Sequence, residues 1–185
     1  ITRMREKIKG EIKMAKGPWV KPKNPVKEKQ GERIAKRMAS AGVCSRRDAE
    51  RLIADGLVKV NGIKITSPAL NVTDTDKITV AGKILPQRSE TRLFLFHKPS
   101  GMVVTHRDER GRATVFDGLP DDLPRLVSVG RLDLNSEGLL LLTTSGDLAR
   151  YLELPATKLP RTYRVRAFGD IARLNPEKLA RGITV

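Results

Sequence analysis

Residues 128–144, SVGRLDLNSEGLLLLTT, decide how this chain is read. Leu126, Val127 and Val129 form a short apolar run at its start, and Leu139 to Leu142 give four consecutive leucines between Gly138 and Thr143. Four leucines bounded by Gly and Thr suit a strand buried on both faces, although periodicity alone leaves a buried helix open. Between the two apolar segments stand Arg131, Asp133 and Glu137, in a stretch rich in turn-forming residues. Asp133 therefore sits in a polar turn held by packed segments on either side, a placement that suits a chemically working carboxylate. The plainer alternative is a self-capping Asp-Leu-Asn-Ser loop with no chemistry.

Composition narrows the partners. The 185 residues hold one medium domain or two small ones. A formal net charge of +15 points to nucleic acid or an anionic membrane surface. No apolar run approaches the ~20 residues of a membrane helix, and no signal-peptide pattern opens the chain, so no membrane role is expected. Cys44 is the one cysteine, which suits a reducing compartment, and with only His97 and His106 beside it a zinc cluster has no donors. Aromatic residues make up 4%, too few for rows of stacked bases, which favours recognition through phosphates and shape.

Working outward, residues 1–31 are crowded with Arg and Lys and interrupted by Pro18, Pro22 and Pro25, and read as a basic disordered arm, either a polycation that contacts RNA phosphates or a solvated tail. From residue 32, Ile34, Ala35, Met38 and Ala41 recur at helical spacing and Gly42 stops the helix. Ser45 with Asp48 three residues on marks a second helix start, with Ala49, Leu52 and Ile53 inward. Asn61-Gly62 between alternating valines and isoleucines predicts a tight hairpin. Arg46 and Arg47 fall at a helix N-terminus, where cations oppose the dipole; a bound polyanion would explain them. Residues 87–91, QRSET, read as a linker. Leu93–Phe96 and Met102–Thr105 are predicted strands either side of Lys98-Pro99-Ser100-Gly101. Arg107, Arg110 and Arg112 lie in a charged loop, either a solvated one or one that touches the RNA backbone. Ser145 caps a predicted helix, Arg161–Arg166 alternates as a strand, and Asn175-Pro176 opens a last helix.

Two of these stretches carry a resemblance. Residues 33–62, RIAKRMASAGVCSRRDAERLIADGLVKVNG, are similar to the S4 RNA-binding domain. Gly-Arg-Leu-Asp followed by Asn-Ser-Glu-Gly-Leu-Leu-Leu-Leu-Thr, with the KPSG turn, resembles the RsuA/RluB family of ribosomal RNA pseudouridine synthases, in its RluB-like branch. The resemblance implies an α+β architecture: an S4 unit over 32–86, two helices plus a hairpin, then a mixed, mainly antiparallel catalytic sheet over 92–185. It also implies further strands and a basic partner for Asp133 beyond Val185, so the chain reads as truncated at its C-terminus, which leaves the activity of these residues by themselves open.

By the same resemblance Asp133 is the nucleophile and Tyr163 packs on uracil. Arg131 fills the space left by a flipped uridine, or pairs with phosphate. KPSG sets backbone geometry near the site. Arg33, Lys36, Arg37, Ser45, Arg46, Arg47, Lys59 and Asn61 face RNA. The implied partner is ribosomal RNA, with the charged loop inclining toward the large subunit; the implied location is the cytoplasm, and neither a cofactor nor an obligate protein partner is called for. Two rival readings use other parts of the same evidence. A non-catalytic S4-type protein of ribosome assembly keeps the basic features alone. A glycoside hydrolase would use Asp133 and Glu137 as its carboxylate pair, but a neutral sugar gains nothing from this charge.

Overall fold

The computed structural model describes residues 31–166, 168–170 and 175–182, so the basic arm, but for Gly31, lies outside the described residues. In the first unit, helix α1 (Ile34–Ser40) and helix α2 (Arg46–Ala54) form where the apolar spacing places them. Ser45 Oγ accepts from Asp48 N at 3.0 Å while Asp48 Oδ2 accepts from Ser45 N at 3.4 Å, so the capping box closes in both directions. Strands β2 (Val58–Val60) and β3 (Ile63–Lys64) meet across Asn61-Gly62, whose φ angles of 51° and 83° are those of a two-residue hairpin turn. Strands β5 (Ile78–Val80) and β6 (Lys83–Ile84) extend the sheet in the order β3-β2-β5-β6.

A separate pair, β1 (Glu32–Arg33) with β4 (Asn71–Val72), escaped the sequence reading because two-residue strands have no periodicity to detect. Ile34, Met38, Ala49, Ile53, Val58, Val72 and Ile78 close the core of this unit. Each large aliphatic side chain so buried contributes about 1.5–3 kcal/mol.

The second unit is built on β9 (Gly138–Thr143), flanked by β7 (Leu93–Lys98) and β8 (Val127–Val129), all antiparallel. The register Leu93↔Thr143 to Lys98↔Gly138 sets Lys98 beside the start of β9. Phe94, Leu140 and Leu142 point to one face with Val115 and Leu126. The expectation of a strand buried on both faces is corrected here: Leu95 and Leu139 are 62% and 65% exposed, so only alternate leucines enter the core. Helix α3 (Gly146–Glu153), capped by Ser145 Oγ accepting from Leu148 N at 3.2 Å, packs beside β8 and β9 through Ala149. Helix α4 (Pro176–Ala180) begins at the predicted proline.

Two predicted strands do not form. Met102–Thr105 makes a single parallel bridge, Val103↔Thr114, before the chain bends away. Its side chains Met102 and Val104 serve the core instead. Arg161–Arg166 is exposed throughout and joins none of the sheets among the described residues. In both, alternation specifies an extended chain, but a strand also needs a neighbour to take its backbone hydrogen bonds.

Residues 87–91 carry no regular structure yet are tied at both ends. Arg88 meets Glu32 at 2.7 Å and Asp74 at 3.4 Å, and Ser89 N donates to Ser40 O. Glu90 O and Arg92 O accept from the hydroxyls of Thr144 and Thr143.

Candidate active site

The turn carrying Asp133 is fixed from below by the Lys98–Gly101 turn. Strand β7 ends with Lys98 opposite Gly138, which carries its side chain under residues 133–136. Lys98 is fully buried, an unusual place for a lysine. Its ammonium is satisfied by backbone: Nζ lies 3.0 Å from Asp133 O, 3.3 Å from Leu134 O, 2.7 Å from Ser136 O and 3.1 Å from Pro99 O. Gly101 N also donates to Leu134 O at 2.7 Å, and Ser100 Oγ to Asn135 O at 3.4 Å. All four carbonyls from Asp133 to Ser136 thus accept from one short turn. Gly101 reaches its place with φ at +87°, a region open to glycine at little cost. Burial pushes the Lys98 pKa down, and the nearby Asp133 charge partly opposes that shift.

With its backbone clamped, Asp133 is left exposed, lining a cleft of about 740 Å³ with Arg131, Leu132 and the 107–112 loop. That volume falls within the range of ligand sites, about 300–1,000 Å³. Asp108 in this loop is held down to about 2, first by side-chain hydrogen bonds from Arg112 and then by Arg112 N. His106 stacks on Phe116 with ring centroids 3.7 Å apart. Burial and the Arg125 charge lower the His106 pKa, against a hydrogen bond that the ring donates to the Leu126 backbone carbonyl. No group of three or more His, Cys, Asp or Glu side chains that could hold a metal occurs among the described residues. No helix among them is long and apolar enough to cross a membrane.

Asp133 lies on a loop that joins two strands of one sheet, is gripped by a Lys-Pro-Ser-Gly turn, and opens onto an arginine-lined cleft. The sequence model of RNA pseudouridylate synthases matches residues 92–183, and that of the S4 domain residues 32–78. The chain belongs to the RNA pseudouridylate synthase family. An uncharacterized RNA pseudouridine synthase of Rickettsia felis is 56% identical over 138 residues, which cover 75% of this chain and 60% of that protein. The ribosomal large subunit pseudouridine synthase B of Pseudomonas aeruginosa is 42% identical over 158 residues, covering 83% of this chain and 41% of that protein. The chain therefore spans about three fifths of the first relative's length and two fifths of the second's. A crystal structure of a pseudouridylate synthase aligns with 64% of this chain and 51% of its own at 29% identity, with a TM-score of 0.35.

Among the family's motif positions, the cleft brings together Asp133 and Arg131 but not Tyr163, which is 66% exposed and does not line it. In the S4 unit, Arg33, Arg46, Arg47 and Lys59 stand exposed. Arg37 is largely covered: its side chain is 12% exposed and its Nε sits 3.9 Å from Asp74 Oδ1. The helical spacing offered a hint, since Arg37 adjoins Met38 and lies one turn from Ile34 on the inward side. Ser45 Oγ is engaged in the helix cap. The Asn61 amide donates to Asp76 at 2.8 Å and its oxygen accepts from Lys77 N at 2.9 Å, locking the hairpin. Lys36 pairs with Asp147 at 2.8 Å and Glu32 at 3.7 Å, bridging from α1 to α3. Sequence reasoning gave the KPSG turn a backbone role but missed Lys98 as the buried clamp, because a lysine ending a strand ordinarily reaches solvent.

Proposed function

We propose that the protein to which these residues belong isomerises one uridine of large-subunit ribosomal RNA to pseudouridine, with Asp133 as the carboxylate acting at the sugar–base bond. The observation that carries this reading is the Asp133 turn itself: clamped backbone, exposed carboxylate, arginines on the same cleft. In the reaction the N1–C1′ bond breaks, the uracil turns, and a C5–C1′ bond forms while C5 gives up its proton and N1 gains one. Atoms and electrons balance within the substrate, so the protein supplies a carboxylate, a base for the C5 proton and a pocket for the detached uracil. Holding that carboxylate at one place is where rigid support counts, since reacting groups must stay within a fraction of an ångström of their working geometry.

Arg131 fills the stack position vacated by the flipped uridine, two residues from the carboxylate and on the same cleft. Tyr163 takes its place against uracil when the exposed 161–166 segment is drawn toward the cleft. Arg33, Arg46, Arg47 and Lys59 hold the RNA through the S4 unit, and the large-subunit assignment follows the name of the P. aeruginosa relative. The cytoplasm is the setting, in keeping with the free thiol of Cys44. Pseudouridine mapping of ribosomal RNA from cells lacking the full-length gene tests the proposal. One position loses its pseudouridine and regains it on complementation; an unchanged map overturns it.

A further inference from the structure

The 107–112 loop, Arg-Asp-Glu-Arg-Gly-Arg, lines the same cleft as Asp133, and its three arginines are not equivalent. Arg112 is used up inside the loop. Its Nη2 donates to Asp108 Oδ1 at 2.7 Å, its Nε to Asp108 Oδ2 at 3.1 Å, and its backbone N to the same Oδ2 at 2.8 Å. A guanidinium fork on one carboxylate is the strong, directional form of an ion pair. The Asp108 side chain is only 8% exposed, so water competes little for it. Gly111 N donates to Asp108 O at 3.3 Å and turns the chain with φ at +66°. These bonds fix the loop as a closed turn.

Arg107, Arg110 and Arg131 differ. Among the described residues none of their side chains has an ion pair or a hydrogen bond, and all three are exposed on the cleft. Three carboxylates line the same space, Asp108, Glu109 and Asp133, and among the described residues only Asp108 is paired, with Arg112. Glu109 and Asp133 each repel an incoming phosphate, so a polyanion reaching Asp133 needs cations near its path. The loop supplies two at positions 107 and 110, on a turn held rigid by the third arginine.

We propose that Arg107 and Arg110 grip the phosphodiesters flanking the nucleotide delivered to Asp133, while Asp108 and Arg112 form the staple that holds the loop and make no RNA contact. The proposal rests on the pseudouridine synthase reading for its ligand, a ribosomal RNA strand. It sorts one charged loop into two phosphate contacts and one internal brace.

The test uses the full-length protein carrying Asp133→Asn, so that binding is read without turnover. Affinity for a fluorescent large-subunit ribosomal RNA fragment is measured by anisotropy over a range of KCl. Each phosphate contact removed lowers the slope of log affinity against log salt by about 0.7–0.9. Arg107→Ala and Arg110→Ala are each expected to show that drop. Arg112→Ala is expected to weaken binding with the slope unchanged, and the exchange Asp108→Arg with Arg112→Asp to recover it. Unchanged slopes for Arg107→Ala and Arg110→Ala overturn the grip; an equal slope loss for Arg112→Ala overturns the staple. Pseudouridine formation by the protein with Asp133 intact is measured on the same RNA. Its absence beside lowered slopes removes the reaction and keeps the grip, whereas its presence beside unchanged slopes does the reverse.

Discussion

Replacing Lys98 with Met keeps the length and bulk of the side chain and removes its charge and its donors. Four carbonyl oxygens lie within 2.7–3.3 Å of the Lys98 nitrogen, and three ammonium protons serve them. A hydrogen bond to a charged group contributes about 1.5–3 kcal/mol net, against a desolvation cost of several kcal/mol for an ammonium placed at zero exposure. Leu134 O keeps Gly101 N and Asp133 O keeps Ser136 N as donors after the change, but Ser136 O and Pro99 O lose theirs. Two carbonyl oxygens left without a donor cost about 1–3 kcal/mol each, and the ammonium's desolvation cost disappears with it, so Lys98→Met is expected to cost about 1–4 kcal/mol. At its upper end that is a large share of a total near 5–15 kcal/mol. Urea unfolding of the full-length protein followed by circular dichroism reads this directly. In the fraction that stays folded, slack in the 133–136 backbone is expected to lower kcat about 100-fold while RNA affinity holds, as displacement of a reacting group by about 1 Å would do. A stability loss below about 1 kcal/mol, or an unchanged kcat, would refute the clamp.

The other predictions concern the loop staple and the first unit. Asp108 has its carboxyl lowered to about 2 by Arg112, so its contribution to folding is complete above the ordinary value near 3.8 and is lost as pH falls through about 2. Carbon NMR of the Asp108 carboxyl should titrate near 2, and a midpoint near 3.8 would show that the fork is not formed in solution. Gly31 sits at φ +83°, and a Cβ there would come within 2.6 Å of Val72 O. Gly31→Ala is therefore expected to cost more than about 1 kcal/mol in thermal unfolding, through the β1–β4 pair; an unchanged melting temperature would contradict this.

Local chemistry was the legible part of this sequence. The Ser45–Asp48 box and the Asn61-Gly62 turn need only residues a few positions apart, and both form as read. The polar turn at Asp133 was visible for the same reason, bracketed as it is by apolar segments that become β8 and β9. What failed depended on distant neighbours. The leucine run forms a strand, yet no local signal tells whether a second layer covers Leu139. The alternation at 161–166 specifies extension and cannot supply a partner. Lys98 becomes a buried clamp only because β9 returns antiparallel and brings residues 133–136 above it, a contact 35 positions or more away in sequence.

The most direct measurement is tritium release from C5-labelled uridine in large-subunit ribosomal RNA, comparing the full-length protein with its Asp133→Asn form. The account predicts release by the first and only background by the second, with RNA affinity retained in both. Full release by Asp133→Asn would contradict it.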